Sequence, residues 1–164
     1  DRSIGGGPIG QGNLLSGNAD GIGIEGAGTV HNQISGNLIG TDVTGKSAWG
    51  NQNPGIFIQD GASSNIIGPD NIIAYNQFGI DIRDADCCGN TITQNSIHDN
   101  REAGIWMQKG ANSGVLAPTI FDFDLALGTL TGAAAPDSIV EIFSDSNDEG
   151  EIYEGQAKDG CLYL

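Results

Sequence analysis

Phe57, Asp81 and Trp106 occupy matching places in a recurring mark: Gly55-Ile56-Phe57-Ile58, Gly79-Ile80-Asp81-Ile82 and Gly104-Ile105-Trp106-Met107, with Gly21-Ile22-Gly23-Ile24 as a fourth copy. If these marks are strands lying side by side, Gly23, Phe57, Asp81 and Trp106 form one outward column, and Glu25, Gln59, Arg83 and Gln108 form the next. Neighbours in such a column sit about 4.8 Å apart. Aromatic faces beside carboxylate, amide and guanidinium groups are the materials of a sugar-binding surface, so Phe57, Asp81, Arg83 and Trp106 are the candidate carbohydrate contacts. The alternative is an ordinary solvated face. A polysaccharide hydrolase needs two carboxylates set across the scissile bond, one of them protonated. Only Asp81 and Glu25 are available here, two coils apart, and the repeat holds no acid cluster suited to a lyase's calcium. No catalytic residue is assigned, and the expectation leans away from an enzyme.

The second candidate is the acidic run at residues 145–151. Its Asp, Asn and Gly places match those of a calcium loop, which makes Asp145, Asn147 and Glu149 the candidate ligands, although Glu149 replaces the usual Asp/Asn and Gln156 stands where a bidentate Glu belongs. A weak extracellular Ca2+ turn and a plain acidic hairpin turn are both open. His31 and His98 occupy unlike places in the repeat, which argues against a shared metal or acid/base pair. Gly5-Gly6-Gly7 lacks the Lys and the following helix of a phosphate loop. The three cysteines, Cys87, Cys88 and Cys161, form no metal spacing. They read as free or buried thiols, with a bridge to Cys161 as the alternative and a strained vicinal bridge disfavoured.

Charge narrows the partners. The net charge is −15, and residues 119–164 carry 10 acids against 1 base. Nucleic acids and anionic membranes need a basic footprint, so neither is expected, and no apolar run is long enough to insert in a bilayer. With 27 Gly against only 5 Pro, the chain calls for many corners without being collagenous.

The elements that must position these residues follow from a repeat. Asn13-Leu14-Leu15, Asn37-Leu38-Ile39, Asn71-Ile72-Ile73 and Asn95-Ser96-Ile97 form one series of marks, and Asn32-Gln33-Ile34, Asn65-Ile66-Ile67 and Asn90-Thr91-Ile92 another. Arg2-Ser3-Ile4 fits the second series with Arg in the Asn place. Each unit is three short strands joined by corners, repeated about four times. Period-two alternation excludes a helical repeat. Stacking the units would bury ladders of Ile, including Ile72, Ile80 and Ile82, and align Asn side chains into amide ladders. The glycine of each Gly-Ile-x-Ile mark would form a corner that a Cβ would crowd. Residues 41–54 lengthen one step of the repeat and read as a loop bulging from the second coil, with Asp42, Lys46 and Trp49 as residues of interest. After residue 116 the Asn marks cease, and alternating runs with Gly and Pro-Asp turns predict a small, partial β-sandwich over residues 117–164.

Gly-Asn-Leu-Leu-Ser-Gly-Asn, Gly-Asn-Leu-Ile-Gly-Thr-Asp-Val-Thr-Gly and Gly-Ala-Ser-Ser-Asn-Ile-Ile-Gly resemble repeats of large bacterial surface proteins. The resemblance implies an all-β, right-handed parallel β-helix over residues 1–116, similar in outline to pectin lyases. The segment from Ile139 to Gly155 resembles the start of the immunoglobulin-like modules that often follow such helices. An extracellular, cell-surface setting is implied, but one fold hosts many functions. The expected function is a non-catalytic structural or adhesive segment whose partners are a polysaccharide or a neighbouring surface protein. The alternatives are a carbohydrate-binding or polysaccharide-degrading β-helix, and a fibre subunit. The fibre reading rests on the first coil mark starting almost at Asp1, so that self-association would cover an open end of the stack.

Overall fold

The computed structural model describes residues 2–7, 12–124, 126–146, 149–158 and, by backbone alone, 161–163. Its first part is a parallel coil of three strands per turn. The first coil holds β1 (Ser3–Gly5), β2 (Leu14–Leu15) and β3 (Ile22–Glu25); the second holds β4 (Gln33–Ser35), β5 (Leu38–Ile39) and β6 (Ile56–Gln59). The third holds β7 (Ile66–Ile67), β8 (Ile72–Ala74) and β9 (Phe78–Ile82), and the fourth β10 (Thr91–Ile92), β11 (Ser96–His98) and β12 (Ala103–Met107). Every third strand pairs in parallel, giving a first sheet β1-β4-β7-β10, a second β2-β5-β8-β11 and a third β3-β6-β9-β12.

Between the sheets lies an isoleucine core. Ile34 and Ile67 come from the first sheet, Ile39 and Ile73 from the second, and Ile56, Ile58, Ile80 and Ile82 from the third. β-branched side chains suit the flat inner faces because their restricted χ1 matches the pleat. Ile80 and Ile82 point inward as expected, but Ile72 does not. The pairs Leu38↔Ile72 and Ile39↔Ile73 place Ile73 in the core and Ile72 on the outer face. Two adjacent isoleucines satisfy either alternation, so only the register chooses between them. Ile72 and Leu38 are covered by the loop at residues 41–50, where a Cβ on Gly45 would come within 2.9 Å of Ile72 Cδ1.

Each corner carries an asparagine ladder. Asn37 donates its backbone N–H and Nδ2 to Asn71 Oδ1, both at 3.0 Å. Asn51, Asn76 and Asn100 do the same along the second corner, and Asn32, Asn65 and Asn90 along the third. Asn37, Asn65, Asn71 and Asn76 are wholly buried. Burying an amide is tolerable only when its donors and acceptors are met, and here they are. Nδ2 of Asn76, for instance, also donates to the carbonyls of Ala74 at 3.0 Å and Ile39 at 3.2 Å. Asn51 was expected to be part of the bulging loop; it is a ladder rung.

Two local devices make the corners. The residue before most ladder Asn residues turns with positive φ, as at Gly17, Gly36 and Gly89 but also at Ser64 (56°), Asp70 (66°), Tyr75 (63°), Gln94 (50°) and Asp99 (53°). At the entry to the third sheet, Gly21, Gly55, Gly79 and Gly104 stack so closely that a Cβ on Gly79 would lie 2.4 Å from the Gly104 carbonyl oxygen. Space, rather than φ, excludes a side chain there.

A short 3-10 turn, Ala111–Gly114, leads out of the last coil. Beyond it the chain becomes antiparallel: β13 (Thr119–Asp124), β14 (Thr129–Ala133), β15 (Ile139–Ser144), β16 (Ile152–Lys158) and β17 (Cys161–Tyr163). They form a three-stranded sheet β13-β14-β17 and a hairpin β15-β16.

Candidate functional site

The third sheet assembles the residues singled out by their spacing. Its register pairs Gly23 with Phe57, Phe57 with Asp81 and Asp81 with Trp106, so the outward column is as expected. Glu25 lies opposite Gln59. Side chains link across three coils. Gln59 Nε2 donates to Glu25 Oε2 at 3.0 Å, Arg83 Nη1 to Gln59 Oε1 at 2.9 Å, and Arg83 Nε to Asp81 Oδ2 at 2.7 Å. The Arg83 guanidinium carbon lies 4.8 Å from the Phe57 ring centroid, within the range of a cation–π contact. Phe57 in turn lies over Gly23, where a Cβ would meet its ring at 2.7 Å.

Although its side chain points outward, Asp81 is only 6% exposed. Arg83 pairs with its Oδ2, and among the described residues Oδ1 has no hydrogen-bond partner. Trp106 remains half exposed and stacks obliquely on Phe78, with ring centroids 5.8 Å apart. Phe78 precedes the Gly-Ile-x-Ile mark, so the column pattern did not reveal it. The site is therefore a preorganised strip: a carboxylate–guanidinium–amide–carboxylate line with Trp106 standing at one end.

The other candidates lie elsewhere. His31 is exposed at a corner, whereas His98 is buried on the second sheet with Nδ1 3.0 Å from Asp99 Oδ2. The Tyr75 ring meets His98 edge-on, and burial together with the neighbouring Asp99 raises the phenol's pKa. In the loop, Asp42 Oδ1 accepts from Thr44 Oγ1 at 2.7 Å and from the backbone N–H groups of Thr44, Lys46 and Ser47. The Thr44 hydroxyl and these amides hold its pKa down at about 2. The Lys46 carbonyl accepts from the Tyr75 hydroxyl, and Trp49 is largely exposed. Cys87 is a buried thiol and Cys88 an exposed one; the side chain of Cys161 lies outside the described residues.

Of the acidic run, Asn147 lies outside the described residues. Asp145 Oδ2 accepts from the N–H groups of Glu149 at 3.0 Å and Gly150 at 2.7 Å. Glu149 Oε2 accepts from the N–H and Nδ2 of Asn100, at 3.1 and 3.0 Å. Among the described residues no group of three His, Cys, Asp or Glu side chains is placed to hold a metal ion.

Three parallel sheets closed by asparagine corners define a parallel β-helix. The description "right handed beta helix region" matches residues 5–120, and the chain belongs to that family. No curated protein matches the chain.

Proposed function

We propose that the chain is a non-catalytic, extracellular structural or adhesive segment of a bacterial surface protein, with the outer face of its third sheet as the contact surface. The observation that carries this reading is the Arg83–Asp81 pair. Asp81, the carboxylate next to Trp106, is ion-paired and buried, which does not suit it to activate water, and Glu25 lies two coils away. Rigid strands holding an interlinked row of side chains suit binding without chemistry, because little order is lost on contact. An immunoglobulin-like character for residues 117–164 belongs to the same proposal, supported by the antiparallel pairing of β13 to β17.

A carbohydrate is the favoured contact. Trp106 offers a half-exposed aromatic face, and Gln59 and Glu25 in the same sheet offer outward-facing amide and carboxylate groups to sugar hydroxyls. A weak Ca2+ contribution at Asp145 and Glu149 remains part of the proposal; the ion would have to draw both carboxylates from the amides they now bind. Retention on immobilised polysaccharides tests the reading. Binding that Trp106→Ala reduces tenfold or more supports it, and binding indifferent to Trp106 and Arg83 defeats the assignment of the face. Release of unsaturated or reducing sugars by the wild-type chain would overturn the non-catalytic part.

A further inference from the structure

The strip on the third sheet has a polarity of its own. Arg83 stands in its middle, and its charge is spent there: Nε on Asp81 at 2.7 Å, Nη1 on Gln59 at 2.9 Å, and the guanidinium carbon 4.8 Å from the Phe57 ring centroid. Gln59 passes the line on by donating to Glu25 Oε2 at 3.0 Å, so the strip ends in an acceptor. Among the described residues nothing donates to Glu25 Oε1. A Cβ on Gly23 would lie 3.0 Å from that oxygen and 2.7 Å from Phe57 Cζ. The carboxylate and the rim of the ring thus share the space over Gly23, which a larger residue would fill.

More negative charge gathers at the same end. Asp60 follows Gln59, and its N–H is held by Asp84 Oδ2 at 2.7 Å. On the strip and the corner after it, Glu25, Asp60, Asp81 and Asp84 stand against Arg83 and Lys109, and Lys109 belongs to the fourth coil, farthest from Glu25. Asp81 is 6% exposed, so salt screens its charge less than that of a solvated group. The Glu25 end therefore calls for a cationic donor. An ammonium group brings three donors and no acceptor.

We infer that the Glu25 end is an anionic subsite, and that the glycan this face takes is an amino-sugar polymer with free ammonium groups, laid along the stack with one ring on Trp106. This rests on the carbohydrate reading above and narrows it to one class. Trp106 and Glu25 are three strand spacings apart, about 14 Å, which a chain spans and a single sugar does not. A polyuronate meets Glu25 and Asp60 with like charge, and the chain's net charge of −15 adds to the repulsion. A lysine-rich peptide would satisfy the same carboxylates. The half-exposed Trp106, braced by Phe78 at 5.8 Å, presents a flat platform that suits a sugar ring better than a flexible side chain.

Isothermal titration calorimetry on the full chain tests this at about pH 6, where an amino group carries its proton. The probes are glucosamine oligomers, the same oligomers fully N-acetylated, galacturonate oligomers and oligolysine. Glucosamine oligomers should bind at least tenfold more tightly than acetylated ones, with a margin that shrinks as salt is raised, and galacturonate should bind most weakly. Monomeric glucosamine should not compete. Glu25 and Asp60 are both exposed, and Glu25→Gln/Asp60→Asn should erase the preference for the amine while leaving affinity for the acetylated chain within twofold. Trp106→Ala should weaken both. Equal affinity for amine and acetyl forms, a preference for galacturonate, or a preference that survives Glu25→Gln/Asp60→Asn overturns the subsite and leaves the carbohydrate reading standing. Tighter binding of oligolysine than of glucosamine oligomers makes the face a peptide site and overturns the inference. Binding of no sugar probe overturns it too, and retention on no polysaccharide at all defeats the carbohydrate reading itself. Should the double variant fail to fold, the comparison of amine and acetyl forms on the unaltered chain still decides.

Discussion

The coiled part and the antiparallel part of the molecule treat their polar and apolar residues in opposite ways. In the coils, Asn37, Asn65, Asn71 and Asn76 are fully buried beside isoleucines with no exposed surface. In the antiparallel part, Phe121 is 69% exposed, Leu127 72% and Ile139 62%. The difference comes from repetition. A stacked coil gives every inward side chain and every corner amide an equivalent neighbour above and below, so hydrophobic burial and hydrogen-bond satisfaction are met together. Two short antiparallel sheets have no such neighbour, and the groove between β13-β14 and β15-β16 stays open along Ile120, Leu130, Val140 and Phe143. What ties the second part to the first is a set of carboxylate–amide contacts rather than a shared apolar core.

This contrast can be broken most directly by paired truncations. Ile80→Ala should cost about 4 kcal/mol of unfolding free energy, as expected where a rigid core leaves a cavity, whereas Phe121→Ala should stay within about 0.5 kcal/mol. Denaturant titration of both variants checks this, and equal losses would erase the distinction. Asn76→Ala should come next. It leaves the Asn51 N–H and Nδ2 without their acceptor inside the stack, a loss of about 3 kcal/mol at the usual cost of unmet buried groups. A value near zero would show that the ladders align the coils without stabilising them.

Two smaller effects sharpen the account of the corners and the loop. Gln94 is exposed and holds φ at 50°, so Gln94→Gly should raise stability by about 1 kcal/mol, readable as a higher thermal midpoint. The Asp42 carboxyl titrates lower in the folded loop than its ordinary value of 3.8, at about 2. Its contribution to loop order is therefore complete above pH 3.8 and fades as pH falls towards 2. Proteolysis of residues 41–50 by an acid-active protease should accelerate across that window in the wild type, and Asp42→Ala should be cut readily at both ends of it.

Much of the candidate site was legible because a strict period carries lateral information. Once Gly55, Gly79 and Gly104 mark equivalent places, Phe57, Asp81 and Trp106 must share a column. Three features were not legible. Phe78 precedes the mark whose columns were read. Asn51 hides at the end of an insertion, where only its spacing to Gly55 betrays it. The burial of Asp81 depends on how Arg83 folds back to pair with it, which no period encodes.

Composition and spacing by themselves determined the coil, its three corners, the glycine column and the change of style beyond residue 116. These are local and repeated, and each copy corroborates the others. Tertiary structure alone decided which of Ile72 and Ile73 faces the core, because adjacent β-branched residues fit either register. It also decided where the acidic turn packs. Asp145 and Glu149 carry the same charges wherever the turn lies, and only the fold brings Glu149 to Asn100. Repetition is written along the chain, whereas the end of a repeat is defined by whatever folds back against it.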